Sequence, residues 1–290
     1  MSFENDQRRF FRYLRKYNTL KGTTMKKTFL ILLASALSIG AAFAQPGFDE
    51  AQNLWADRGN PVSLEKAIAV YEKAYQTVPS YQLAERLSYA YYFLADAFKE
   101  GDAKADNYYK GHEWGLISLK YNGEFKKLSE VDDKSMGDAV SVLGKEYAGG
   151  IFWTATCIGK WGKMKGIFKT IKSSKQARKM VEHLYTLDKT YYYGGPARWL
   201  GAYFALAPGM FGGDMKKSKE MYDEALSMAP NYFATSVLMA ENYASKIKDR
   251  QMYDQLLDKV LSSPAGIIPE IISEQTVEQK KAKKLKEEKF

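Results

Sequence analysis

The residue types that most often carry catalysis are scarce in this chain. Its 290 residues include two histidines, His112 and His183, and one cysteine, Cys157. Neither histidine has a second histidine at helical spacing, which a zinc site on a helix would need. Cys157 lies inside an apolar stretch without a base close by in sequence, so we expect a small buried side chain and not a nucleophile. These residues predict no catalytic site, no metal and no cofactor, and the chain is predicted not to be an enzyme.

The glycines that precede Lys217-Ser218 superficially suggest a phosphate-binding loop. That loop needs a glycine directly before the lysine, and Lys216 stands there instead. No β-strand pattern precedes the segment either, although the motif requires one. We therefore exclude nucleotide binding at this position.

The most distinctive block of the chain spans residues 191–214, where tyrosines, glycines and prolines occur together with an arginine. Pro196 suits the first turn of a helix, Pro208 stops that helix, and Asp214 can cap the next one. This interpretation explains the glycines and prolines but not Arg198, because a positive charge early in a helix opposes the helix dipole. We expect Arg198 to face a ligand or a buried carboxylate, with plain solvent as the open alternative.

Aromatic side chains make up 14% of the residues, with 21 tyrosines. Most of these rings must pack between helices, and we expect the remainder to line a groove or cavity, which is how repeat proteins bind. Residues 147–161 are the most apolar stretch after residue 44 and contain Phe152, Trp153 and Trp161. The stretch is too short to cross a bilayer, so it predicts a buried helix.

The elements that must hold these residues are helices. Apolar residues recur at spacings of three and four almost throughout, and no alternating pattern of useful length indicates a strand. One helix is predicted from Ser63 to a stop at Pro79, a second over residues 83–98 and a third over residues 103–121. Short loops between amphipathic helices favour antiparallel neighbours, so the predicted fold class is all-α.

A repeat is visible near the C-terminus. The positions Ser218, Tyr222, Ala225, Leu226 and Pro230 correspond, 34 residues later, to Met252, Leu256, Lys259, Val260 and Pro264. The apolar positions and the proline coincide, although Lys259 breaks the small-residue position. Thirty-four residues is the period of the tetratricopeptide (TPR) repeat, a pair of antiparallel helices. We therefore predict divergent TPR-like antiparallel helix pairs in a superhelical or bundled array.

The first 44 residues have the anatomy of a secretory signal peptide. Met25-Lys26-Lys27 supplies a basic start, residues 29–39 an apolar run, and Ala42-Phe43-Ala44 a small-x-small cleavage site. Residues 1–24 are either a misassigned start or an unusually long basic region. We expect cleavage before Gln45 and export to the periplasm. Ala44-Gln45 stands where a lipoprotein needs a cysteine, so the mature chain is predicted to be soluble, with no transmembrane segment.

The distribution of charge argues against nucleic acid as a partner. The net charge is +9, of which residues 1–44 contribute +6 through eight Lys or Arg and two Asp or Glu. Residues 277–290 hold six Lys and three Glu, a further +3, which leaves the body near neutral. The predicted domains are the signal peptide, an all-helical TPR-like domain over residues 45–276, and a charged tail over residues 277–290 that is disordered or a frayed helix.

Several of these segments together resemble a known family. The segment Gly194-Gly195-Pro196-x-Arg198-x-Leu200-Gly201, the Pro208-Gly209 break, and the helix with Lys217-Ser218, Tyr222 and Pro230 are similar to the TatT family. These proteins are the TPR-containing T components of tripartite ATP-independent periplasmic (TRAP) transporters. Ile151-Phe152-Trp153 through Gly159-Lys160-Trp161 resembles the apolar central helix of that family. The resemblance covers most of the mature chain, about residues 64–264.

This resemblance implies divergent TPR pairs around a hydrophobic channel and assembly into a homo-oligomer. It also implies docking to a periplasmic solute-binding protein and a small hydrophobic ligand or organic acid. The candidate ligand-contacting or channel-lining residues are then Phe152, Trp153, Trp161, Tyr192, Arg198 and Trp199. Members of the family are commonly lipoproteins, and this chain departs from that pattern. A general TPR scaffold for protein–protein interaction in the cell envelope is the alternative function.

Overall fold

The computed structural model describes residues 48–288, and within that range the backbone forms helices and turns with no strand. The all-α fold class is therefore confirmed, whereas the TPR-like arrangement of the helix pairs stays a prediction. The predicted signal peptide, the two alternatives for residues 1–24 and the predicted mature start at Gln45 lie outside the described residues.

The helices are numbered in chain order. They are α1 (Phe48–Ala56), α2 (Pro61–Thr77), α3 (Tyr81–Phe98), α4 (Gly101–Leu119), α5 (Gly123–Glu130), α6 (Met136–Ala139), α7 (Ala148–Met164), α8 (Ile167–Asp188), α9 (Tyr191–Leu206), α10 (Met215–Met228), α11 (Phe233–Met239), α12 (Arg250–Ser262) and α13 (Ile272–Glu287). A π-helical turn, Ala240–Ala244, continues α11 into the short helix Ser245–Ile247. Helices that follow one another mostly pack together, and α7 lies at the centre, against α3, α4, α8 and α9.

Helices α2, α3 and α4 are the three that the sequence predicted, and each begins two residues earlier than expected. The start of α2 shows why. Pro61 occupies the first turn, where its missing N–H is not needed, and the side chain of Asn60 accepts hydrogen bonds from the backbone N–H groups of Val62 and Ser63. The asparagine, and not Ser63, is the cap.

The apolar stretch around Trp153 forms the buried helix α7, as predicted. Cys157 is fully buried there, and burial raises the pKa of its thiol, so this side chain acts as core. Helix α4 approaches α7 through glycines, because a Cβ on Gly111 would lie 2.7 Å from the Cys157 Sγ and one on Gly115 would lie 2.1 Å from the Thr154 Oγ1. No helix within residues 48–288 is both long and apolar enough to cross a membrane.

The predicted 34-residue spacing holds at the ends of the two helices, because α10 ends at Met228 and α12 at Ser262, whereas their capping aspartates lie 35 residues apart. Asp214 and Asp249 cap α10 and α12 with their side chains. The buried positions that follow are Ser218, Tyr222 and Ala225 in α10, and Tyr253, Leu257 and Val260 in α12. Lys259 is exposed and therefore breaks no pattern.

The prediction of a disordered tail or frayed helix over residues 277–290 is wrong for residues 277–287. They belong to α13, in which Val277, Glu278 and Ala282 are buried. Val277 joins the apolar core between α2 and α3, so the last helix closes the array against the first ones. A lysine-rich segment with few apolar residues packs here because its lysines reach carboxylates on other helices.

Candidate functional site

A group of aromatic rings meets at the centre of the fold, which we call the aromatic cluster. Its members are Tyr89 and Tyr92 of α3, Phe152 and Trp153 of α7, Tyr191, Tyr192 and Tyr193 of α9, and Tyr232 before α11. Tyr89 stacks on Trp153 with ring centroids 4.1 Å apart, and Tyr192 meets Trp153 edge-on at 4.8 Å. Geometries of this kind add about 1 kcal/mol per pair beyond burial.

The backbone of α9 turns left-handed where it enters this cluster. Tyr192 (φ 45°), Tyr193 (φ 59°) and Gly194 (φ 71°) are three successive residues with positive φ. Glycine adopts this region freely, but each tyrosine there costs about 1 kcal/mol or more. Gly195 is required for a different reason, since a Cβ on it would lie 2.9 Å from the ring of Phe152.

Arg198 holds the left-handed turn in place. Its guanidinium donates to the carbonyl oxygens of Tyr193 at 3.0 Å and Tyr192 at 3.4 Å, and lies 4.4 Å from the ring centroid of Tyr232. The residue is 5% exposed, so the solvent alternative is excluded. Backbone carbonyl oxygens of the turn stand where a carboxylate was expected.

The hydroxyl groups of the cluster connect to a buried ion pair. Tyr89 and Tyr192 share a hydrogen bond of 2.6 Å between their hydroxyls, and the Tyr89 hydroxyl also donates to Glu274 of α13. Arg58 donates to both carboxylate oxygens of Glu274, at 2.7 and 2.8 Å. Burial, assisted for Tyr89 by the Glu274 charge, raises the pKa of both tyrosines well above the usual value, so both hydroxyls stay protonated.

A second buried carboxylate, Asp96, lies at the end of α3. It accepts from the Lys160 ammonium at 3.1 Å, from the Tyr108 hydroxyl at 2.7 Å and from the Lys281 ammonium of α13. Burial alone would raise the pKa of Asp96, but the charges of the two lysines outweigh burial and hold the pKa well below its usual value. Asp96 is therefore a permanent anion that ties α13 to α3 and α7.

Two buried hydroxyls near this region, of Thr156 and Thr235, have no hydrogen-bond partner within residues 48–288. Thr156 follows Phe152 by one helical turn and precedes Lys160 by another, so the three share a face of α7. Buried polar groups are normally paired, and an unpaired hydroxyl beside aromatic rings can bond to a bound molecule.

The structure brings together four of the six residues that the sequence singled out: Phe152, Trp153, Tyr192 and Arg198. Trp161 and Trp199 lie apart from them. Trp161 contacts the ring of Tyr109 at 5.3 Å, and Trp199 stacks on Tyr203 at 5.8 Å. Both are partly exposed, and a Cβ on Gly159 would lie 3.5 Å from the Trp199 ring, so Trp199 rests on α7 at its outer side.

Sequence reasoning missed the charged residues that close the site, namely Arg58, Asp96, Glu274 and Lys281. The Arg58–Glu274 contact joins residues 216 positions apart, and the Lys281–Asp96 contact joins residues 185 apart. No local pattern marks either pair. The tyrosine-rich run in α3 was the one available signal, because Tyr89 and Tyr92 recur at the spacing of a helix face.

His112 lies away from the aromatic cluster, beside a groove of about 250 Å³ between α4 and α5 that is lined by Leu116, Lys120, Glu130, Lys134 and Met136 among others. Burial lowers the pKa of His112 to about 4, so the imidazole is neutral at pH 7. Within residues 48–288 no three His, Cys, Asp or Glu side chains come together as a metal site.

The family of the chain follows from its sequence as a whole. The family model of the TRAP transporter T-component matches residues 96–290, which is more than half of the 290 residues. No curated protein matches the chain closely enough to count as a relative. The matched part includes Phe152, Trp153, the α9 turn and α13, and it begins at Asp96. This chain therefore belongs to the TRAP transporter T-component family, a family of accessory transport proteins that is not known to be enzymatic.

Proposed function

We propose that this TRAP accessory protein acts in the periplasm by docking a solute-binding protein and by holding a small hydrophobic ligand or organic acid at the aromatic cluster. Family membership supports the transport role. The central position of the cluster between α3, α7, α9 and α13 supports the ligand role, because a molecule held there contacts most of the fold.

The observation that carries the ligand proposal is the left-handed turn at Tyr192 and Tyr193. A hydrophobic core needs burial alone, and it gains nothing from two tyrosines in an unfavourable backbone conformation. Such strain persists where surrounding contacts enforce it, and it is concentrated at binding sites. Arg198 supplies the enforcing contacts here, because it donates to the carbonyl oxygens of both tyrosines.

The chemistry of the cluster suits an apolar molecule with an acidic end. Phe152 and Trp153 offer ring faces and edges to an apolar body. The hydroxyl protons of Tyr89 and Tyr192 are already donated within the network, whereas the Thr156 hydroxyl has no partner within residues 48–288 and can donate a hydrogen bond to a carboxylate.

Titration with decanoate, an apolar carboxylate, tests the ligand proposal. Tryptophan fluorescence and calorimetry should show saturable binding to residues 45–290, and Trp153→Leu should weaken it about tenfold through lost apolar contact. Tyr121→Phe, which removes an exposed hydroxyl far from the cluster, is the matched control and should bind normally. Absence of saturable binding to the folded wild type would remove the ligand proposal.

A general TPR scaffold in the cell envelope is the second candidate, and one observation favours it. The rings of the cluster contact one another directly, as in a packed core, with Tyr193 stacked on Tyr232 at 5.0 Å. A scaffold predicts that decanoate does not bind and that partners other than solute-binding proteins are retained.

The proposed docking role predicts a defined complex with a TRAP-type solute-binding protein of the same organism. Light scattering measures the mass of this complex and also reports the expected homo-oligomer.

A further inference from the structure

A strongly basic segment lies outside the aromatic cluster and has no part in the proposed function. Residues 160–179 contain seven lysines and one arginine, with no aspartate or glutamate. They span the end of α7, the turn at Gly166 and the first half of α8. A run of this length without one acidic residue produces a local positive potential that the near-neutral body does not cancel.

Helix α8 separates its apolar and basic residues onto opposite faces. Its inner face, formed by Ser173, Ala177, Met180, Val181 and Leu184, is buried. Phe168, Lys172, Lys175 and Lys179 recur at helical spacing on the outer face. Phe168 is 85% exposed, and Met164 in the preceding turn is 39% exposed, so apolar side chains project from the most basic part of the surface.

Only some of the positive charges are neutralised within the molecule. Lys160, Lys165, Lys179 and Arg178 pair with Asp96, Asp102, Asp138 and Glu182 respectively. Within residues 48–288, Lys163, Lys172 and Lys175 lie in no ion pair, and all three are exposed. They flank Phe168 on both sides along the chain.

We propose that this basic corner, residues 163–175, binds an anionic lipid surface, with Phe168 entering the headgroup region and the lysines contacting lipid phosphates. An exposed aromatic ring among lysines on an amphipathic helix is the combination that interfacial helices use. One phenylalanine and one methionine offer too little apolar area for the core of a protein interface, which buries about 800 Å² on each partner. The attachment is peripheral and reversible, and it needs neither a spanning helix nor a lipid anchor.

The electrostatic and apolar parts of the contact have separate expected magnitudes. Each lysine close to an anionic membrane strengthens binding about fivefold, and the effect decays within about 10 Å at 0.1 M salt. Burial of the Phe168 ring adds about tenfold. Binding should therefore weaken steeply with salt but retain a salt-resistant part that depends on Phe168.

Vesicle sedimentation of residues 45–290 tests the proposal. Vesicles of equal parts phosphatidylcholine and phosphatidylglycerol should bind the protein, and vesicles of phosphatidylcholine alone should not. Changing Lys163, Lys172 and Lys175 together to glutamine should weaken binding about a hundredfold. Phe168→Ser should weaken it about tenfold and abolish the salt-resistant part. Circular dichroism shows whether each variant folds, and all four positions are exposed.

Matched controls separate a local site from net charge. Lys126, Lys216 and Lys283 are exposed lysines elsewhere, so the triple change to glutamine removes the same charge and should leave binding within about twofold. Met210→Ser matches Phe168→Ser, because both side chains are 85% exposed. Equal losses in the control triple and the corner triple would overturn the proposal. Binding of the protein to poly-glutamate, without binding to anionic vesicles, would also overturn the proposal, because an acidic protein surface would then be the partner of the basic corner.

Discussion

The aromatic cluster and the C-terminal core are both buried, yet they consist of different types of residue. The C-terminal core, formed by α11, α12 and α13, contains Phe233, Val237, Ala240, Ala244, Leu257, Val260 and Ala282. These are mostly aliphatic or small side chains, in α-helices and in the π-helical turn that continues α11. The aromatic cluster instead combines tyrosine hydroxyls, the Arg58–Glu274 ion pair and a left-handed turn.

The difference shows that the aromatic cluster contains features that folding alone does not require. Apolar burial is the main contribution to the C-terminal core, and a buried hydrogen bond from the Phe233 N–H to the Gln275 side chain supplements it. Buried charges and left-handed tyrosines cost free energy that hydrogen bonds must offset, and a well-packed apolar group would avoid that cost. We infer that the C-terminal core supports α13 and that α13 in turn positions Glu274 and Lys281 at the cluster.

The largest expected effect tests the C-terminal core as pure packing. Leu257 is fully buried, so Leu257→Ala should lower the free energy of unfolding by about 4 kcal/mol, through lost burial and the cavity left behind. Urea denaturation measures the loss. Leu261→Ala on the same helix, where the side chain is 38% exposed, should cost well under half as much. Equal losses would show that the region does not act as a packed core.

Lowering the pH should destabilise the folded protein through His112, which lies on α4. His112 is neutral when folded, with its pKa lowered from 6.5 to about 4 by burial, whereas the unfolded chain takes up a proton near pH 6.5. Stability is therefore full above pH 6.5 and falls as the pH drops towards 4, by about 3 kcal/mol at most. Urea denaturation as a function of pH should show this slope, and His112→Leu should remove it. A His183→Gln control that flattened the slope equally would contradict the assignment.

Removing the buried anion at the end of α3 should have an intermediate effect. Asp96→Asn leaves Lys160 without its counter-charge and Lys281 with Glu278 alone, and we expect a loss of about 2 kcal/mol, reduced from the fully buried case because the lysines are 38% and 34% exposed. Asp102→Asn is the control, since Asp102 pairs with Lys165 at 94% exposure and should contribute almost nothing. Thermal denaturation compares them. Similar melting temperatures for the two variants would mean that Asp96 does not anchor α13.

The smallest expected effect concerns the hydroxyl network itself. Tyr192→Phe removes the 2.6 Å hydrogen bond to Tyr89 and should cost about 1 kcal/mol in urea denaturation. Under the ligand proposal, decanoate affinity should fall by a larger factor than in Tyr121→Phe, because Tyr192 belongs to the aromatic cluster proposed to hold the ligand. If Tyr192→Phe unfolds more easily but binds decanoate as the wild type does, the network serves stability alone.

The chain before residue 96 lies outside the family match, yet it completes the cluster. Arg58 and Tyr89 come from this part, and both contact Glu274 within the matched part. The ligand chemistry proposed here thus combines residues inside and outside the region that defines the family.

Much of the local structure was predictable because its causes lie within a few residues. The spacing of apolar residues predicted α2, α3, α4 and the buried α7, and Asp214 caps α10 as expected. The 34-residue spacing was predicted correctly for the ends of α10 and α12, but their caps and buried positions are offset by 35 residues. The prediction for the C-terminal tail was wrong because composition indicates how much apolar surface a segment can bury. It does not indicate which distant carboxylates the lysines of the segment contact.

The sequence by itself determined the all-helical class, the helix order and the identity of the residues in the central helix α7. Only the tertiary structure decided that Arg198 binds the carbonyls of a left-handed turn, that Trp161 and Trp199 lie apart from the cluster, and that α13 returns to α1 and α3. The physical reason is the separation along the sequence between the residues that interact. Helix formation depends on neighbours three and four residues away, whereas buried ion pairs and ring contacts depend on which surfaces meet when the whole chain has packed.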